Sequence, residues 1–329
     1  MNLDGLLLLP GLTNAHDHLE FNLFPRLGRG PYSNATDWAA DIYHPDDPPV
    51  CDHLRVPKSV RLFWGGIKNL LAGVTTVLHH NPYEPEVFDD DFPVRVVRRF
   101  GWAHSLRFST DIRERYAATP PDAPFLIHAC EGTDQSAADE IRDLDALGVL
   151  GPRTVIVHGV GLDAAGIELM RERGASLIWC PSSNHFTLGR TIAPEVLNSG
   201  IPIALGTDSA LTAQGDLLDE LQVAARYVPW ARACEMVTSE PAKILRVDLT
   251  GDAVAVKSRD DLSPELVVIG GRIKLVSERL AKQIPVAGFH SIEVAGRGRY
   301  FINCDVPRLM EPVKQALGDA VLSGKAVTV

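Results

Sequence analysis

Phe125-Leu126-Ile127-His128 is a short apolar run closed by an imidazole. Val155-Ile156-Val157-His158 repeats the design, and Ile203-Ala204-Leu205-Gly206-Thr207-Asp208 closes a third run with a carboxylate. Near the start, Thr13-Asn14-Ala15-His16-Asp17-His18 places two imidazoles two residues apart. Imidazoles and a carboxylate at the C-terminal ends of buried strands lie on the face where a (β/α)8 barrel carries its chemistry. The four segments therefore predict an α/β chain of TIM-type barrel class.

The flanking sequence has the matching texture. From about residue 6 to 245, apolar runs alternate with amphipathic stretches. Strands are expected at Leu6–Leu9, Thr75–Leu78, Val94–Val97, Phe125–Ile127, Val155–Val157, Ser176–Trp179 and Ile201–Leu205. Helices are expected at Val60–Leu71, Ala137–Leu147, Asp163–Arg173, Asp216–Tyr227 and Ala231–Val237. Continuous apolar strands alternating with helices signal a parallel sheet covered on both faces. Between His80 and Phe125, about 44 residues with six prolines must hold two strands. Val94–Val97 and Gly101–Leu106 are the candidates, with no room for a parallel crossover between them, so the barrel is compressed or irregular there.

After residue 248 the texture changes. Gly251–Val256 reads as a strand and Glu265–Val276 as a hairpin turned at Gly270-Gly271. A helix over Val306–Leu317 is expected to close the chain. The division is a barrel over 6–247 and a small β appendage with a C-terminal helix over 248–329. Residues 1–9 are candidates to join the appendage.

Composition narrows the function classes. The 329 residues are 45% hydrophobic and 22% charged, as in an ordinary soluble chain. A formal net charge of −10 argues against a nucleic-acid partner, which needs clustered Lys and Arg. Five scattered cysteines, at 51, 130, 180, 234 and 304, form no disulfide framework and suit a cytoplasmic setting. Leu6–Leu9 is far too short for a signal core or a membrane span.

His16 and His18 point to the same side of a strand and can ligate one cation. His128 supplies a third imidazole and Asp208 a carboxylate, because a buried Asp needs a cation or donor beside it. This donor set suits one divalent ion such as Zn²⁺ with a position left for water. Glu131, three residues past His128, is placed either as a proton shuttle for an activated water or as a loop salt-bridge partner. His158 reads as a ligand or as a hydrogen-bonding group for water and substrate. His79 and His80, beside Asn81, either line the pocket or divide between barrel and helix layer. Asp208 can also serve as a second base.

These motifs resemble the amidohydrolase superfamily over roughly residues 6 to 276. The resemblance rests on Pro10–His18, Gly73–Val77, His128-Ala129-Cys130-Glu131, His158-Gly159, Cys180–Asn184 and Gly206-Thr207-Asp208-Ser209. It is strongest to the mononuclear branch of cytosine, guanine and adenosyl-thioether deaminases and triazine hydrolases. The resemblance implies His16, His18, His128 and Asp208 as ligands of one metal, usually Zn²⁺ and sometimes Fe²⁺. It implies Glu131 as proton shuttle and His158 as the orienting imidazole, with Asp208 sharing the catalytic work. Dinuclear relatives use a carbamylated lysine; the lysines between His18 and His128 are Lys58 and Lys68, both in a helix-like region, which favours one metal. His104, beside Ser105, resembles a His-Ser pair of the thioether deaminases. With His80, Asn184 and Ser209 it is a candidate substrate contact. The resemblance also implies about fifty residues of β-sandwich before the His-x-His pair, where this chain has fifteen before His16.

The expected reaction is deamination of a small nitrogen heterocycle by a metal-activated water. Two alternatives use the same residues: hydrolysis of a cyclic amide or ring substituent (amine or halide), and a non-catalytic metal-binding barrel. A homo-oligomer is plausible by resemblance, and no membrane partner is expected.

Overall fold

The computed structural model describes residues 2–329, Met1 lying outside them. Eight strands run parallel in two ladders. The first holds β2 (Leu12–Asp17), β3 (Val74–His79) and β4 (Arg95–Val96), following β1 (Leu7–Pro10), which belongs elsewhere. The second holds β5 (Gly101–Ser105), β6 (Phe125–Ala129), β7 (Thr154–His158), β8 (Ser176–Trp179) and β9 (Ile203–Leu205) in sequential order. Every residue of β2, β3, β6 and β7 is buried, which is why β6 and β7 carry continuous apolar runs up to their histidines rather than alternating ones.

Amphipathic helices close the connections. Lys58–Leu71 leads into β3, Gln135–Ala146 follows β6 and Ala164–Arg173 follows β7. Asp134 and Asp163 cap the last two by accepting from Ala137 and Gly166 N–H, satisfying amides the helix leaves unpaired. The helix Pro181–Leu188, after β8, was not expected from the sequence. Its serines and asparagine are weak helix formers, and Pro181 in its first turn is the signal for a start.

The compressed segment has a definite structure. Among the described residues there is no helix between β3 and β4, nor between β4 and β5, and the last two strands share no ladder. The other sheet shoulders against this place. Arg95 of β4 pairs with the buried carboxylate of Asp252 at 2.9 and 3.1 Å, and Lys274 Nζ donates to the carbonyls of Asp90 and Phe92.

That second sheet is antiparallel and eight-stranded. Its strands are β10 (Ala253–Val256), β11 (Pro264–Ile269), β12 (Arg272–Ser277), β13 (His290–Val294), β14 (Gly298–Ile302), β15 (Ala320–Leu322) and β16 (Lys325–Thr328), with β1 paired to β10. Gly270 and Gly271 both have positive φ (55° and 77°), the conformation a two-residue hairpin turn requires. The sequence reading had found one strand and this hairpin. Strands β13 to β16 are short, three to five residues each, and escaped it.

At the other end of the parallel layer, β9 and β2 meet. Thr207 and Asp208 N–H both donate to the His16 carbonyl at 3.0 and 3.1 Å. Gly206 lies against His16 so closely that a Cβ there would stand 2.7 Å from the His16 Cβ. This contact brings His16 and His18 beside Asp208.

Candidate active site

Successive strand ends deliver the side chains. His16 lies in β2 with His18 just beyond it, His128 lies in β6, His158 ends β7 and Asp208 follows β9. His16 Nε2 stands 3.3 Å from His128 Nε2 and 3.5 Å from Asp208 Oδ1. His18 Nε2 is 3.7 Å from the same oxygen. Donor atoms of a tetrahedral ion bound at about 2.1 Å are spaced by roughly 3.4 Å, so these separations fit a shared cation. His16, His18, His80 and His128 each offer a ring nitrogen within 4.8 Å of the others, and His16, His158 and Asp208 form a second such group.

The electrostatics agree with a ligand set. Burial holds the imidazoles of His18 and His128 well below their ordinary pKa, with neighbouring imidazoles adding to the effect, so both are neutral. A neutral imidazole is the form that ligates. Burial pushes the Asp208 carboxyl up, but a hydrogen bond with His16 and the facing His158, His16 and His18 outweigh it and hold it well below the usual range. Its Oδ2 accepts from Ser183 Oγ and Thr212 Oγ1 at 2.7 and 2.8 Å, leaving Oδ1 for the imidazoles. His128 Nδ1 donates to the His104 carbonyl at 2.8 Å, which leaves its Nε2 lone pair facing inward. His80 Nδ1 is buried with no hydrogen-bond partner. A buried polar atom in that state wants a ligand, and with the Nε2 and Oδ1 spacings of His16, His18, His128 and Asp208 the residues fit a divalent cation.

Beside this group stand Glu131 and His158, with Glu131 Oε1 3.5 Å from His158 Nε2. Burial raises the Glu131 carboxyl to about 7, against the pull of His158. A carboxyl poised there can both take and return a proton at neutral pH. His158 Nδ1 donates to Asn184 Oδ1 at 2.8 Å, which fixes the ring. His158, Asp208 and Cys130 all have positive φ (79°, 57° and 55°), each a strained position costing about 1–3 kcal/mol for a residue other than glycine. Strain at three strand ends around one point has no counterpart in a one-letter sequence. Cys130 is buried and its thiol is pushed up by burial, so it is no nucleophile. Its N–H donates to Glu140 Oε2 at 2.6 Å, pinning the turn that carries Glu131.

The other candidates divide. His80 is buried within the imidazole group, whereas His79 turns away, accepting from Leu19 N–H at 3.2 Å and facing Glu20 at 3.6 Å. Asn184 reaches the site through His158. His104 is exposed at the rim, its ring 4.8 Å from that of His128. Ser209 is buried directly after Asp208, its carbonyl accepting from Ala213 N–H. Sequence reasoning missed the layer beneath. Asp17 accepts from Asn22 (2.7 Å), Asn69 (2.8 Å), Asn14 (3.2 Å) and Thr207 (3.3 Å), and Lys68 donates to Asn22 at 2.7 Å. Asn14 also takes the Thr207 N–H at 3.1 Å, so the network ties β2 to the turn holding Asp208.

Residues 121–273 match the amidohydrolase family. The chain resembles the amidohydrolase superfamily. It is 27% identical to a 5-methylthioadenosine/S-adenosylhomocysteine deaminase of Halobacterium salinarum, covering 74% of this chain and 70% of that protein. Among solved structures it resembles an adenosine deaminase from Xanthomonas campestris with bound zinc (TM-score 0.67, 19% identity, 95% and 85% of the two chains). It also resembles atrazine chlorohydrolase from Arthrobacter aurescens complexed with zinc (TM-score 0.68, 14% identity, 95% and 88%). The chain is a metal-dependent hydrolase of C–N bonds: the family match, the deaminase-named relatives and the buried imidazole–carboxylate group agree. No helix among its described residues is long and apolar enough to cross a membrane.

Proposed function

We propose that this chain deaminates a nitrogen heterocycle, holding one divalent metal with His16, His18, His128 and Asp208. Zn²⁺ is the first choice and Fe²⁺ the second, since imidazole suits both. The convergence of these four donors beside the Glu131–His158 pair carries the reading. When bound, the cation supplies a Lewis acid that lowers the pKa of water toward about 7. Glu131 takes the proton of the attacking water and returns it to the leaving nitrogen, which departs as ammonia. His158, held by Asn184, stabilises the charge that develops at the attacked carbon's substituents and orients the ring. Asp208 acts as second base through the oxygen that Ser183 and Thr212 leave free. His104 at the rim, Ser209 and Asn184 are the nearby polar groups for substrate. The relatives' names support a 6-aminopurine nucleoside bearing a thioether as the substrate class to try first.

We take the two parallel ladders as one (β/α)8 barrel over residues 6–247, joined through the β9–β2 contact and irregular at β4 and β5. Residues 248–329 form the appended layer, with β1 paired into it. Five unpaired cysteines support a cytoplasmic setting.

The test is a heterocycle panel assayed for ammonia, with Glu131→Gln alongside. Ammonia from an aminopurine, and a metal-loaded but inactive variant, support the proposal. Ring opening or substituent loss without ammonia moves the bond cleaved. Wild-type rates in Glu131→Gln would remove Glu131 from its role.

A further inference from the structure

His80 is a fully buried imidazole that the proposed reaction leaves unused. It stands just past the end of β3, stacked on His128 at 4.4 Å between ring centroids and edge-on to His16 at 5.0 Å. Its Nε2 is 3.2 Å from the Ala103 carbonyl. A carbonyl only accepts, so Nε2 carries the proton and Nδ1 keeps a lone pair. That Nδ1 is buried without a hydrogen-bond partner.

The arrangement repeats what His128 does one residue along. His128 donates Nδ1–H to the carbonyl of His104, and His80 donates Nε2–H to the carbonyl of Ala103, adjacent on β5. A backbone carbonyl that fixes the tautomer is the usual outer contact of a metal-ligating ring. Two stacked imidazoles are thus anchored on neighbouring carbonyls, each with its other nitrogen deprotonated. Neither aromatic stacking nor helix packing requires that.

Resting on the metal-dependent reading above, we propose that His80 is a further ligand, presenting Nδ1 to the cation held by His16, His18, His128 and Asp208. The shell then exceeds the four donors of a tetrahedral site and still leaves an octahedral ion one position for water. The short run His79-His80 divides its labour: His79 fastens Leu19 N–H, and His80 faces the ion.

The experiment titrates Co²⁺ into chelator-stripped wild type, His80→Gln, His80→Phe and His16→Ala. It reads affinity by chelator competition and coordination by the visible absorption, which intensifies as the ligand number falls. His80→Gln keeps an amide donor where Nε2 meets Ala103 but removes the δ lone pair; His80→Phe keeps the stacked ring and removes both nitrogens. Both are expected to bind Co²⁺ about 10–100-fold more weakly, on the scale of losses at metal-site partners, with a more intense spectrum. Melting of the metal-free Gln variant should match the wild type. Wild-type affinity and spectrum in His80→Gln, with His16→Ala deficient, overturn the His80 assignment alone. No Co²⁺ binding by the wild type overturns the functional reading with it.

Discussion

Two buried polar clusters lie one layer apart, and they are built on opposite terms. In the upper one, the Nε2 atoms of His16, His18 and His128 crowd one another and Asp208 Oδ1, His80 Nδ1 has no protein partner, and His158 and Asp208 sit in strained backbone. In the lower one, Asp17 is met by four donors and Lys68 closes the circuit through Asn22. Buried polar groups are normally paired, and a satisfied network stiffens what surrounds it. The upper cluster is therefore where the fold retains unused valence for a ligand, and the lower is what holds that valence in place.

The contrast can be broken by substitution. Glu131→Gln acts only on chemistry: kcat should fall about 10²–10⁴-fold, the usual worth of a general acid–base, with metal content and melting temperature unchanged. Asp17→Ala acts on the lower cluster. It strips buried donors of Asn22, Asn69, Asn14 and Thr207 of an acceptor, and at about 1–3 kcal/mol per unpaired buried group should cost about 3–5 kcal/mol of stability, read by denaturant unfolding of the metal-free protein. His16→Ala, in the upper cluster, should abolish metal binding and with it the rise in melting temperature on adding Zn²⁺, a rise that Asp17→Ala should keep. A metal-induced rise surviving in His16→Ala, or no stability loss in Asp17→Ala, would erase the distinction.

Smaller effects sharpen it. Asn184→Ala frees the His158 ring and should lower kcat about tenfold, while KM changes little, if Asn184 orients rather than binds; a rise in KM alone would make it a substrate contact. Glu220 is buried beneath the site, accepts from Ser182 N–H at 3.0 Å, and burial raises its carboxyl to about 8 from 4.5. The folded state thus keeps a proton that the unfolded chain releases. Its contribution is fully present below about 4.5 and is lost as pH rises through about 8. Glu220→Gln should flatten the fall in melting temperature across that window, and an unchanged slope would assign the pH dependence elsewhere.

Much of this was legible in the chain because buried parallel strands announce themselves as apolar runs and a strand's last residue fixes where its side chain lands. His16, His18, His128, His158 and Asp208 could be placed at strand ends on that ground alone. What stayed hidden depends on contacts distant in sequence. Asp17 pairs with Asn69 and Thr207, and Asp208 with Ser183, so neither environment can be read locally. The helix Pro181–Leu188 was missed because Ser182, Ser183 and Asn184 favour loops, and its burial against the site overrides that preference. His79-His80 gave no hint of which ring faces inward; register and the carbonyls of β5 decide it.

The most direct measurement is the metal content of the purified protein by plasma mass spectrometry, with His16→Ala in parallel. About one Zn or Fe per chain, lost in the variant, is the predicted result. No bound metal in the wild type, and none taken up on adding Zn²⁺ or Fe²⁺, would contradict the metal-dependent site.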